Sequence, residues 1–407
     1  MINSKNTFWV RAALINLSIV ATVGAIMRYK IGFELHWFDQ KFLQEAHSHF
    51  AFAGWITHSL YFLLVSLFRS NLPDIKEKVY NRLILVNLLS AYGMLFSFMH
   101  QGYGPVSLFF STISVITGYV FAWFALKDAG RLPSGHPSKN WIKAAICFGI
   151  LSTFGTMVLS YMMGTHHFNQ TTYLGSIYFY LHFQYNGWFL FACIGLFLDK
   201  IKHLIHHPAL ERMSFWCFFL AGIPSYFLST LWAHLPVWLY AIVILAAILQ
   251  LIGWWQMLRL INSIKGQLHS IIPKPARFLL LMVGTALSIK LCLQLVSTVP
   301  IISKLAFSFR PIVIAYLHLV LLMIITLFLL TFMFSTDWIR QNKRTIMALS
   351  GFTLGIVLNE TVLCIQGIGA FSYTVIPYAD QMLFGIALVL SGSAWLILTA
   401  QFRPSLH

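Results

Sequence analysis

Charge is what this sequence has least of. Aspartate, glutamate, lysine and arginine make up 9% of its 407 residues, against about 25% in an average soluble domain. With 58% hydrophobic residues and a mean hydropathy of +0.76, that shortage excludes an ordinary soluble fold. No polar stretch is long enough to form a soluble domain beside the apolar ones. The length would otherwise suggest two or three domains; here it reads as one all-α integral membrane domain over residues 1–407. Cysteine motifs are missing as well. Cys147, Cys193, Cys217, Cys292 and Cys364 each stand alone in an apolar run. The absence of C-x-x-C and C-x-x-C-H excludes a zinc knuckle and covalently attached c-type haem, and lone buried cysteines behave as small apolar residues. The N-terminus has no short apolar core with a small-residue cleavage site, so its first apolar run is read as a retained helix.

What is present is a series of apolar runs. Stretches of roughly 20 residues or more, enough to span a bilayer, occur at about 8–28, 41–68, 81–100, 104–126, 141–163, 174–198, 213–233, 236–258, 276–299, 310–334, 343–365 and 378–402. These are spans 1 to 12. Helices are expected because lipid offers no partner for free backbone groups. Pro105, Pro236 and the glycine-rich 102–104 stretch mark tight hairpins. Loops on the N-terminal side hold 21 of the 27 lysines and arginines, and the other side holds Arg28, Lys30, Lys41, Lys304 and Arg310. Lys290 is left inside span 9. The bias places both termini in the cytoplasm. It also accounts for the net charge of +16 as a topology signal, with no nucleic-acid partner implied.

The chain is organised around Ala46 to Trp55. Within it, His49-Phe50-Ala51-Phe52-Ala53-Gly54-Trp55 is echoed 133 positions later by His182-Phe183-Gln184-Tyr185-Asn186-Gly187-Trp188. A further 136 positions on stands His318, without the Gly-Trp. His100 and His234, at the outer ends of spans 3 and 7, are 134 apart. A near-constant period with histidine in register points to three related units, approximately 1–130, 131–265 and 266–407. His49, His182 and His318 each fall about 12 Å into their span from the outer side. With His47, His100, His166, His167 and His234 they make eight histidines in or near the outer half.

A single membrane histidine is more often a helix-to-helix hydrogen-bonding residue than a ligand. Five at one depth on equivalent helices are another matter, because polar groups inside a membrane are costly and mark working sites. Neutral imidazole suits haem iron and copper, and an apolar shell with few carboxylates does not suit magnesium or calcium. Lys290, Glu360 and Asp380 are the other polar residues of note. They form no continuous acidic path, which argues against proton pumping. His58 reads as structural, and His203, His206 and His207 as a solvated loop cluster. The Gly-Trp pairs read as close-packing, haem-contact or interface-anchoring residues.

Twelve spans, cytoplasmic termini, a three-fold repeat of four helices and outer histidines on spans 2, 6, 7 and 10 resemble subunit I of the haem–copper oxidases, a superfamily that includes the nitric-oxide reductases. The string His-Ser-His-Phe-Ala-Phe-Ala-Gly-Trp is similar to a ligand motif of the nitric-oxide reductase and C-type oxidase branch, although that motif lies on helix 10 there and on span 2 here. The resemblance implies three four-helix arcs. It implies a low-spin haem b held by His318 and either His47 or His49. It also implies a second centre from His182 and His234, with copper or another metal, and His100, at the outer end of span 3, could join them.

The chain departs from the family at several positions. Tyr316 stands where the family has the histidine of its high-spin haem, which puts a second haem in doubt. Span 7 has one histidine in place of a pair. Asn186 stands four residues after His182, where many oxidases carry a crosslinked tyrosine. Gly164-Thr165-His166-His167 resembles a reductase string but precedes span 6. The functional expectation is a haem-binding protein of the bacterial inner membrane that handles nitric oxide or oxygen. Its electrons would come from a separate subunit or quinol, since no donor domain is present. The alternatives are a non-catalytic haem or metal protein for nitric-oxide tolerance or sensing, and a histidine-lined transporter. Transporter repeats place broken helices at the site, and the histidine-bearing spans carry no Gly or Pro break at the histidines.

Overall fold

The computed structural model describes residues 4–33, 35–165, 167–233, 235–372 and 374–402, and for 4–6, 305–308 and 371 the backbone only. Among these residues the chain is helical and contains no strand. In chain order come α1 (Ser4–Gly32), α2 (Gln40–Phe50), α3 (His58–Asn71), α4 (Glu77–Gln101), α5 (Pro105–Arg131), α6 (Ser138–Thr165), α7 (Gln170–His182) and α8 (Leu190–Ile201). Then follow α9 (Pro208–Gly222), α10 (Val237–Ile264), the short α11 (Leu268–Ile271), α12 (Lys274–Val296), α13 (Pro300–Ser308), α14 (Arg310–His318), α15 (Leu327–Ser335), α16 (Lys343–Phe371) and α17 (Ala379–Thr399). Eleven continuous helical stretches are long and apolar enough to cross a membrane, or twelve with one bent pair.

The bent pair is span 7. It is α9 followed, at a 50° bend, by a 3-10 helix over Pro224–Thr230. Pro224 has no N–H to donate back along the helix, so a straight run cannot pass it. The spans that carry the repeat histidines remain continuous but change winding. A π-helical segment over Ala51–Thr57 joins α2 to α3, one over Phe183–Phe189 joins α7 to α8, and one over Leu319–Thr326 joins α14 to α15. Each of these spans starts on a strong local signal. Asp39 accepts from the backbone N–H groups of Lys41 and Phe42, Asn169 accepts from that of Thr172, and Pro311 lies in the first turn of α14.

The chain divides into two compact units. The first comprises residues 1–66, 74–121 and 326–407. Here α1 packs on α17 and α2, α16 on α17, and α2 on α4. The two ends of the chain thus share one unit, so the packing division does not follow the repeat boundaries. Its π-segment frees backbone carbonyls, and buried amides take them up. Asn87 Nδ2 donates to Ala53 O at 3.0 Å and Asn16 Nδ2 to Gly54 O at 2.5 Å, while Tyr92 OH donates to Asn16 Oδ1 at 2.9 Å. Inside a bilayer no water would do this.

The second unit comprises residues 67–73 and 122–325. In it α6 packs on α7, α8 and their π-segment, α9 on α10, and α10 on α12. Trp141 anchors one end: its indole N–H donates to Glu211 Oε1 at 2.8 Å, and its ring meets those of Phe191, Phe215 and Phe218. Near Trp141, Gly195 lets α8 approach Ile142 of α6. Asp199 Oδ1 closes the same end, accepting from Asn71 and Lys202 at 3.0 Å each, with His136 Nε2 at 3.3 Å.

Candidate functional site

In the first unit, His47 and His49 leave α2 on different faces, as residues two apart on a helix must. His49 lies flat on Phe98 of α4, with ring centroids 4.3 Å apart and planes 5° from parallel. Its Nε2 is 3.2 Å from Tyr103 OH. His47 turns instead to α1, where a Cβ on Gly24 would lie 3.2 Å from its Cε1. Gly24 therefore leaves the room that the His47 ring fills. His100 is exposed in the last turn of α4. His58 is fully buried, 3.4 Å from Trp9 O and edge-on to the Trp9 and Phe62 rings.

In the second unit, His182 is the last residue of α7 and is 2% exposed. Its Nε2 is 2.9 Å from Gly222 O, and its Nδ1 is 3.1 Å from Asn186 Nδ2. A carbonyl only accepts, so Nε2 carries the proton and Nδ1 takes the amide N–H. Both ring nitrogens are thereby engaged by the protein. Gly222 is the last residue of α9, and its carbonyl is exposed by the break at Pro224. A broken helix does lie beside a repeat histidine, then, although the break comes from a neighbouring span and not from the histidine's own. The spans that carry His49, His182 and His318 are themselves continuous, as the sequence led one to expect. The sequence showed Pro224 inside an apolar run but gave no sign that its bend would face His182.

His318 ends α14. Its Nδ1 is 2.8 Å from Ile314 O, one turn back. By the same reasoning Nδ1–H donates, which makes Nε2 the nitrogen with the lone pair. That is the tautomer an axial haem ligand needs, with the far N–H held by a carbonyl. Tyr316, two residues earlier, meets the ring of Tyr185 edge-on at 6.4 Å.

His234 and His166 lie outside the described residues, and His167 is exposed. Among the described residues, no three His, Cys, Asp or Glu side chains converge where a metal ion could sit. His203, His206 and His207 are exposed. The residues that sequence reasoning missed cluster around His182. Asn186, Gly222, Ser225 and Gln250 join it and Lys290 in lining one small cavity. The Asn four residues after His182 was visible as a departure from a family pattern; its role as a partner of the ring was not. No protein family model and no curated protein matches the chain.

Proposed function

We propose that this chain is a haem-binding integral membrane protein, similar in plan to subunit I of the haem–copper oxidases, that handles a diatomic gas. Both termini would lie in the cytoplasm and three pseudo-symmetric arcs of four helices would enclose the site. The membrane would be the bacterial inner membrane, with electrons supplied by a separate subunit or by quinol. The observation that carries the reading is one local device used three times. A histidine stands at the end of an α-helix or one residue before it, at His49, His182 and His318, and a π-helical segment follows directly. Single π-helical insertions are rare and cluster at functional sites. Three in register with the 133- and 136-residue intervals support both the repeat and the site.

His318 would hold haem b through Nε2, with Nδ1–H fixed by Ile314 O. The other axial imidazole would come from α2, from His47 or His49. Bound haem would supply a one-electron centre, and the chain's own part is to present two imidazoles and keep the surroundings apolar. A second centre from His182, His234 and His100, with copper or another metal, is a further part of the proposal. It requires Asn186 to release Nδ1 of His182, or Gly222 to release Nε2. Nitric oxide is preferred to oxygen on the likeness of the Ala46–Trp55 string to the reductase branch.

A specific observation also favours the transporter reading. The break at Gly222–Pro224 exposes a carbonyl to His182 deep in the second unit, and interrupted helices at buried polar groups are the mark of transport sites. Purification with ample haem supply separates the two. A red preparation with a bis-imidazole visible spectrum, lost in His318→Ala, is the expected result. A colourless, metal-free preparation would leave the transporter reading standing alone.

A further inference from the structure

Lys290 is 1% exposed, on α12 in the middle of an apolar helix. It lines the same cavity as the His182 imidazole. A buried ammonium is expensive to hold in a low-dielectric interior without partners. Two side-chain amides line that cavity as well. Asn186 Oδ1 and Gln250 Oε1 are buried and accept no hydrogen bond. The nitrogens of both amides are already committed: Asn186 Nδ2 to His182 Nδ1, and Gln250 Nε2 to Ser225 Oγ at 2.9 Å. Turning the Asn186 amide over would set two lone pairs against each other at His182 Nδ1, so its oxygen stays an acceptor; with Gln250 Nε2 on Ser225 Oγ, Oε1 is an acceptor too.

The cavity has a volume of about 10 Å³, roughly the space one water requires. Its chemistry narrows the occupant further. Two amide oxygens without donors disfavour an anion, and the lysine disfavours a cation. What remains is a small neutral molecule that both accepts and donates. We propose that the cavity is a binding site for a single water molecule, which accepts from Lys290 Nζ and donates to Asn186 Oδ1 and Gln250 Oε1. Three hydrogen bonds to otherwise unsatisfied groups is the usual complement of a buried water. The water joins α12, α10 and the π-segment after His182, next to the broken end of α9. It sets the Asn186 amide, and through it the tautomer of His182. This inference is independent of the haem reading.

The test uses the full chain in lipid nanodiscs. A map at a resolution that shows ordered waters should contain one isolated spherical peak within hydrogen-bonding distance of Nζ, Oδ1 and Oε1. Lys290→Met and Gln250→Met are made singly and together. A shared water predicts that each single variant loses thermal stability and that the double variant melts no lower than the worse single. Strictly additive losses would overturn the proposal. So would a map with Nζ bonded directly to either amide oxygen, or a bromide anomalous peak in the cavity, which would identify an anion site.

Discussion

The indole N–H of Trp55 donates to Thr326 Oγ1 at 2.9 Å, tying the first π-segment to the residue that heads α15. Both residues are buried, at 1% and 2% exposure. Trp55→Phe keeps most of the ring but leaves a hydroxyl without its donor in an apolar setting. The expected cost is about 1–3 kcal/mol, read as a lower melting temperature in nanodiscs. Thr326→Val should cost a similar amount, and the two losses should overlap in the double variant, because one bond is removed either way.

The glycine before each motif tryptophan gives a second prediction. A Cβ on Gly187 would lie 2.5 Å from Phe148 Cβ on α6, and one on Gly54 would lie 2.7 Å from the Phe50 ring. The first obstacle is fixed to a helix backbone, whereas the second is a buried ring one turn away. Gly187→Ala should therefore force α6 and the π-segment apart and cost about 1–3 kcal/mol. Gly54→Ala should cost less, since Phe50 can tilt. Comparison of the two melting temperatures checks the order.

Much of this architecture could be read from the chain because hydropathy reports it directly. The expected spans correspond to helices long and apolar enough to cross a membrane, and His182 and His318 both end α-helices at their repeat positions. The π-segments were not legible, since one extra residue per turn leaves an apolar run apolar. Pro224 was visible as a helix breaker, but that its bend would face His182 was not. Lys290 stood out as a charge in an apolar helix, but its relation to Asn186 and Gln250 depends on the close packing of three distant stretches of chain. The tautomer of His182 was equally out of reach, because it is set by the Gly222 carbonyl that only the fold brings to the ring, whereas that of His318 is set locally, by Ile314 O one turn back.

His182 and Asn186 give a third prediction. His182→Ala removes the donor to Gly222 O and the acceptor of Asn186 Nδ2. It should destabilise the chain by about 1–3 kcal/mol; if the proposed second centre exists, it should also abolish gas reactivity there while a low-spin haem spectrum persists. Asn186→Leu should act in the opposite sense on metal binding, because it releases the lone pair of Nδ1. Copper titration of purified protein should show tighter binding in Asn186→Leu than in the unaltered chain. Equal affinities would mean that His182 is not a metal ligand.

The last prediction decides between the two histidines of α2. Their surroundings differ enough that each can be disturbed without touching the ring itself. Gly24→Ala places a Cβ 3.2 Å from Cε1 of His47, a contact that must push the imidazole by a few tenths of an ångström. Tyr103→Phe removes the hydroxyl 3.2 Å from Nε2 of His49 but leaves the ring stacked on Phe98. Partners that orient a ligating imidazole commonly change metal affinity 10–100-fold when altered. If His47 is the axial ligand, Gly24→Ala should weaken haem retention and shift the low-spin spectrum, and Tyr103→Phe should be silent. If His49 is the ligand, the pattern reverses. His318→Ala is the reference in both cases, since it should abolish the low-spin spectrum and lower the melting temperature through the loss of cofactor binding energy. Should His47→Ala and His49→Ala both retain a spectrum that His318→Ala removes, the second axial ligand does not come from α2, and the likeness to the oxidase plan fails at its main point.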